Sequence, residues 1–192
     1  MTMGRIVIVS GSPSSLSRSE RILYYLGDLA MQEGFSVHHV SVKDFDAEDL
    51  LFANFNSSKI KEISVELQKA DGVIVGSPVY KASYSGVLKA LFDLLPQDVL
   101  QDTFVLPVMT GGSSSHLLAL DYALKPLLAT VKAHSLKGLY FQDSEISKTG
   151  SEVIIDNVML NRTKKQLNYF MRKISVDVPV ISEKDVVSAS HY

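Results

Sequence analysis

The sequence contains no cysteine. That excludes disulfides, thiolate metal sites and a cysteine nucleophile. It suits a reducing compartment, although a chain without cysteine folds equally well outside the cell. Long apolar runs are also missing, and none approaches the roughly 18–20 residues a bilayer span requires. The N-terminal stretch MTMGRIVIVSGSP has one basic residue and an apolar run too short for a signal peptide. A strong charge imbalance is absent too. The formal net charge is −2, which provides no bulk electrostatic reason to bind nucleic acid or an anionic membrane. We expect a cytoplasmic protein.

What is present is an ordinary globular composition, 46% apolar and 21% charged over 192 residues. That length suits one core. A single domain is expected over residues 1–175, with an extended tail over 176–192 that carries Pro179. There is no internal repeat and no low-complexity segment.

Short runs rich in β-branched residues alternate with helical stretches. Residues 5–10 (RIVIVS) end at Gly11 and read as a strand buried on both faces. Ile22, Leu23, Leu26, Leu29 and Ala30 recur at helical spacing within 17–33, and Gly34 stops that helix. A less buried strand follows at 35–42, then a loop region at 43–56 too apolar for a linker. Further elements are predicted in order: a helix over 58–70, a strand at 73–76 and a helix over 86–95. A strand at 103–109 and a long helix over 116–132 come next. A strand at 135–141 and a last helix over 151–174 complete the pattern. Alternation of this kind argues for a five-stranded parallel sheet with helices on both faces. The order 2-1-3-4-5 brings the loops after strands one, three and four side by side, where open α/β sheets bind ligands.

Those three loops are the chain's richest in Gly, Ser, Thr and Tyr. The first, SGSPSSLSRS (10–19), runs into a helix. Hydroxyls, free N–H groups and the dipole at a helix N-terminus favour an anion, and Arg18 adds a fixed charge suited to phosphate. The loop lacks the later glycines of a dinucleotide fingerprint and the GK[ST] of a Walker loop; ordinary helix capping by its serines is the plainer alternative. The second, GSPVYKASYSG (76–86), is stiffened by Pro78 and offers Tyr80 and Tyr84 to a flat aromatic ligand. The alternative is that the tyrosines cover the sheet end or an interface. In the third, TGGSSSH (110–116), two glycines permit close approach of backbone to ligand. His116 stands where it can touch a ring edge or a phosphate, although a lone histidine is more often structural. None of the three loops contains Asp or Glu; their charged groups are Arg18 and Lys81, with His116 able to charge. An anionic ligand is therefore favoured. The helix LLALDYALKPLLATV is apolar nearly all round, which suits burial or a subunit interface. Pro126 within it cannot donate to the carbonyl of Tyr122, and a π-bulge would relieve the clash.

Three segments carry a resemblance to a known family: GSPSSLSRSERIL, ADGVIVGSPVYKASYSGVLKALFDLLP and VLPVMTGGSSSHLLALDYALKPLLATVKA. FDAEDLLFANFNS, between the first two, is also similar. Over about residues 5–141 the chain resembles the NADPH-dependent FMN reductases, and among them those of two-component alkanesulfonate monooxygenase systems. The resemblance implies a flavodoxin-like fold, with FMN and NADPH as cofactors. It implies FMN phosphate held by Ser10, Ser12, Ser17, Arg18 and Ser19. The isoalloxazine ring would lie against Pro78, Val79, Tyr80, Lys81 and Ser83, with further contacts from Thr110, Gly111, Gly112 and Ser113. It also implies a dimer or tetramer, a Tyr inserted in a π-helix that Asp121-Tyr122-Ala123 matches, and delivery of reduced flavin to a monooxygenase.

Hydride transfer between stacked rings needs no protein acid or nucleophile, so no catalytic residue is assigned. Lys81 and backbone N–H groups of the second loop are the candidates for stabilising reduced FMN, and no metal is expected. Two other readings remain. A quinone or azo-dye reductase on this fold would keep FMN tightly bound, and the lack of extra aromatic loops argues against it. A flavodoxin-type electron carrier would surround FMN with carboxylates, which the three loops lack. On that ground the potential of bound FMN should lie near that of free FMN.

Overall fold

The computed structural model describes residues 3–175. The tail expected at 176–192 lies outside the described residues.

Strand β1 (Arg5–Ser10) leads through the first loop into helix α1 (Arg18–Gln32), followed by β2 (Ser36–Ser41). The apolar region at 43–56 is not all loop: it contains the short helix α2 (Ala47–Leu51), whose Leu50 is buried. Helix α3 (Ser58–Gln68) precedes β3 (Gly72–Pro78), α4 (Gly86–Leu94) and β4 (Phe104–Gly111). A π-helix (Leu120–Leu124) runs directly into α5 (Lys125–Thr130). Then come β5 (His134–Ser135), β6 (Leu139–Gln142) and α6 (Asn157–Ile174). Among the described residues no helix is long and apolar enough to cross a membrane.

The sheet is parallel, in the order β2-β1-β3-β4-β5, with β6 also paired to β4. The flavodoxin-like order is therefore present, but its fifth position is filled in two pieces. β5 pairs with Phe104 and Val105, and β6 pairs with Val108–Gly111. The single strand expected at 135–141 breaks near Gly138, whose φ is +81°. A Cβ there would meet the Pro107 carbonyl oxygen at 2.7 Å, so only glycine fits.

Strand alternation divides the core into two layers. Val7, Val9, Val73, Val75 and Val105 pack under α3, α4 and α5. Ile6, Ile8, Ile74, Leu106 and Val108 pack under α1 and α6. Burial on both faces is why these strands read as continuous apolar runs rather than alternating ones.

Two predicted helices need correction. The last one begins at Asn157 and not near 151, because the Asp156 side chain caps it by accepting from Met159 N at 2.7 Å. Residues 143–156 instead form an irregular loop with a bridge between Ile146 and Ile154. The helix expected over 116–132 is composite. It comprises a 3-10 turn at Ser114–His116, the π-helix and α5, with Pro126 at the start of α5 where its missing N–H costs little.

Candidate functional site

The carboxyl ends of β1, β3 and β4 lie side by side, and short bonds draw their loops together. Gly11 N donates to the Gly76 carbonyl at 2.7 Å, and Ser85 Oγ donates to the Gly11 carbonyl at 2.5 Å. Val79 N donates to the Thr110 carbonyl at 2.7 Å, and Ser77 Oγ accepts from Ser85 N at 2.9 Å. A Cβ on Gly11 would come within 2.9 Å of Leu88 Cβ, so the first loop can lie against α4 only because residue 11 is glycine.

In the first loop most hydroxyls serve the loop itself. Ser12 is fully buried and exchanges hydrogen bonds with the backbone of Ser14. Buried Ser10 accepts from Ser12 N at 3.5 Å. Ser17 caps α1 by accepting from Glu20 N at 3.1 Å. Buried Ser19 is hydrogen-bonded to Thr110 Oγ1 across to β4. The exposed part of the loop is residues 13–16; at the first turn of α1, where Arg18 is half-buried, the N–H groups of Arg18 and Ser19 have no partner within the helix.

Arg18 is engaged by a further loop, outside the three rich in Gly, Ser, Thr and Tyr. Its Nε donates to the Ile146 carbonyl at 3.2 Å, and its Nη1 lies 3.8 Å from Asp143 Oδ2. Arg21, one helical turn on, donates through Nη1 to the Lys148 carbonyl at 3.0 Å and through Nη2 to that of Gly150. The segment after β6 is thus a fourth loop of the site. It adds Asp143 and Glu145 to a site whose other three loops lack acids. Topology was the available signal, since this loop also follows a strand's carboxyl end next to β4.

The second loop begins later than predicted, because Ser77 and Pro78 belong to β3. It is a tight reverse turn: Tyr80 N donates to the Ser83 carbonyl at 2.8 Å, and Ser83 N to the Tyr80 carbonyl at 3.1 Å. Lys81 (φ +51°) and Ala82 (φ +64°) are both left-handed. That is the type I′ geometry, usually given to Asn and Gly and costly for other residues. Among the described residues neither the Lys81 N–H nor the Ala82 N–H has an acceptor. Tyr80 and Lys81 are exposed, whereas Tyr84 packs on the apolar layer under α4 and α5.

In the third region Thr110 and Gly111 end β4, and Gly112 and Ser113 follow. A Cβ on Gly111 would stand 2.6 Å from the Tyr140 hydroxyl, which donates to the Ser113 carbonyl. Tyr140 was not foreseen; it secures this loop from β6. Burial, then the Asp143 and Glu145 carboxylates, push its phenol above the usual range, so it stays a donor. His116 is exposed in the 3-10 turn. Among the described residues no group of three His, Asp or Glu side chains is placed to hold a metal.

The helix expected to be buried or at a subunit interface is half open in the single chain. Tyr122 is 78% exposed, and Leu117 and Leu118 are exposed beside it. Tyr84, Phe92, Tyr122, Pro126 and Leu127 line a groove between α4 and α5 of about 550 Å³.

Comparison with known proteins agrees with this architecture. The family model described as NADPH-dependent FMN reductase matches residues 4–147. The chain is 47% identical over 143 residues to an FMN reductase (NADPH) of Escherichia coli K12, covering 74% of this chain and 75% of that protein. It is 46% identical over 143 residues to an FMN reductase (NADPH) of Pseudomonas putida KT2440, covering 74% and 73%. Among solved structures, the apo form of an NADH:FMN oxidoreductase superposes with a TM-score of 0.81 at 33% identity, over 91% of this chain and 92% of that one. With the family match spanning every loop of the site up to residue 147, the chain belongs to the NADPH-dependent FMN reductases.

Proposed function

We propose that this oxidoreductase binds FMN across the four loops, reduces it with NADPH and releases it to a monooxygenase that consumes reduced flavin. The observation that carries the binding mode is the convergence on neighbouring strand ends of two sets of unspent donors. One set is the Arg18 and Ser19 N–H groups at the first turn of α1, beside the Arg18 guanidinium, whose Nε is already given to the Ile146 carbonyl. The other is the Lys81–Ala82 turn.

FMN presents a phosphate dianion and a flat ring with one apolar and one polar edge, and the residues present fit it. The α1 N-terminus and Arg18 suit the phosphate. Pro78 and Val79 would offer the ring an apolar contact, and the N–H groups of Lys81 and Ala82 would be available to its polar edge. Gly112, where an added Cβ would have no neighbour nearer than Asp143 Oδ2 at 4.0 Å, leaves its side of the site open.

Bound FMN supplies the chemistry, acceptance of a hydride from the nicotinamide. The chain's residues position it. The strained turn is held by its two hydrogen bonds and by β3, so its donors are already aimed and need no reorganisation. The exposed Lys81 ammonium, on the same turn, would add positive charge beside a reduced, anionic flavin. Ser10, Ser12, Ser17 and Ser19 fix the first loop's shape rather than donating freely. Thr110 and Ser113 do the same for the third, and Ser83 closes the turn. The exposed face around Tyr122 and the adjoining groove support assembly as a dimer or tetramer.

NADPH oxidation should depend on added FMN when FMN, FAD, riboflavin, a quinone and an azo dye are compared as acceptors. Oxidation that proceeds with quinone while added FMN changes nothing would favour the tightly bound-flavin quinone reductase instead.

A further inference from the structure

We infer that Asp143 competes with the flavin phosphate for Arg18, and so keeps FMN an exchanging molecule rather than a fixed group. The inference rests on the assignment of Arg18 to phosphate. Asp143 lies in the fourth loop, directly after β6, with its side chain 45% exposed. Its Oδ2 is 3.8 Å from Arg18 Nη1 and 4.0 Å from where a Cβ of Gly112 would stand. The carboxylate therefore occupies the mouth between the first and third loops, and the absence of a side chain on Gly112 leaves it uncovered on that side.

A carboxylate beside a ligand arginine can act in two ways: it can orient the guanidinium, or it can compete with the ligand for it. Orientation is already supplied here. The Ile146 carbonyl accepts from Arg18 Nε at 3.2 Å, which fixes the plane of the fork. Asp143, by contrast, stands beyond hydrogen-bond distance of Nη1 and contributes field without geometry. Glu145 is otherwise engaged, accepting from Gln142 N at 2.7 Å. An arriving phosphate must take Arg18's positive charge from Asp143. A single solvent-screened pair near the surface corresponds to a small factor, about two- to fivefold in affinity. That is enough to speed release without abolishing binding.

The experiment measures FMN and riboflavin affinity for the wild type, Asp143→Asn, Arg18→Ala and the double variant, each at low and at about 0.5 M salt. Asp143→Asn should tighten FMN about two- to fivefold and leave riboflavin unchanged. The gain should shrink at high salt and vanish in the Arg18→Ala background. It should also leave more FMN on the protein after gel filtration. Asp143→Ser serves as the second variant and should behave the same way. Weaker FMN binding would mean that Asp143 orients Arg18, and would overturn the inference. So would an equal gain for both flavins, or an undiminished gain without Arg18. If Arg18→Ala leaves the preference for FMN over riboflavin unchanged, the phosphate assignment itself fails and takes the inference with it.

Discussion

Replacing Arg18 by alanine should weaken FMN on the order of tenfold to a hundredfold while changing riboflavin far less. The factor follows from losing one charge-assisted contact, worth about 1.5–3 kcal/mol. Arg18 also holds the Ile146 carbonyl, so the substitution loosens the fourth loop. Both flavins would feel that loosening, and the difference between them isolates the phosphate. Arg21→Ala is the matching control. Arg21 ties the same loop through Lys148 and Gly150, and its loss should not discriminate between the two flavins. Titration by flavin fluorescence reads both. An equal loss for FMN and riboflavin in Arg18→Ala would remove the phosphate from the first loop.

Deleting Tyr122 should alter assembly and flavin exchange together. The π-helix Leu120–Leu124 holds one residue more than ordinary α-helical register, and Pro126 follows at the start of α5. Removing the extra residue turns everything before it by roughly 100° relative to α5. Leu117 and Leu118, now exposed beside Tyr122, would then present a different face, and the chain back to Ser113 would be re-aimed at the third loop. The deletion variant should keep FMN through purification and lose turnover with free FMN. Tyr122→Ala keeps the register and should do less. Absorbance of the purified variants, with sizing by gel filtration, distinguishes register from side chain. If Tyr122→Ala disturbs assembly as much as the deletion and neither retains flavin, the residue is an interface aromatic and the bulge has no part in exchange.

The sheet was legible from pattern because β1, β3 and β4 are buried on both faces and leave unbroken β-branched runs. Helices α1 and α4 were legible because serine caps and apolar spacing agree there. The break at Gly138 was not, since a left-handed glycine inside an apolar run looks the same in sequence as one that merely fills a strand. Residues 151–156 looked helical because the stop that matters, the Asp156 cap, lies inside the periodic stretch. The site's loops were found from residue types, yet the roles of their hydroxyls were not. Whether Ser19 meets a phosphate or Thr110 depends on a neighbour 91 residues away. The same holds for Arg18 and Ile146, which are 128 residues apart.

On the proposed function, FMN is a substrate that this chain reduces and then releases. Anaerobic incubation of a trace of enzyme with NADPH and a large molar excess of FMN tests it directly. Many equivalents of FMN per enzyme should lose their visible flavin absorbance, in proportion to NADPH consumed, and the reduced flavin should pass through a membrane that retains the protein. Reduction that stops at one flavin per chain, with the colour of the excess unchanged, would mean that FMN is held as a fixed group and not released.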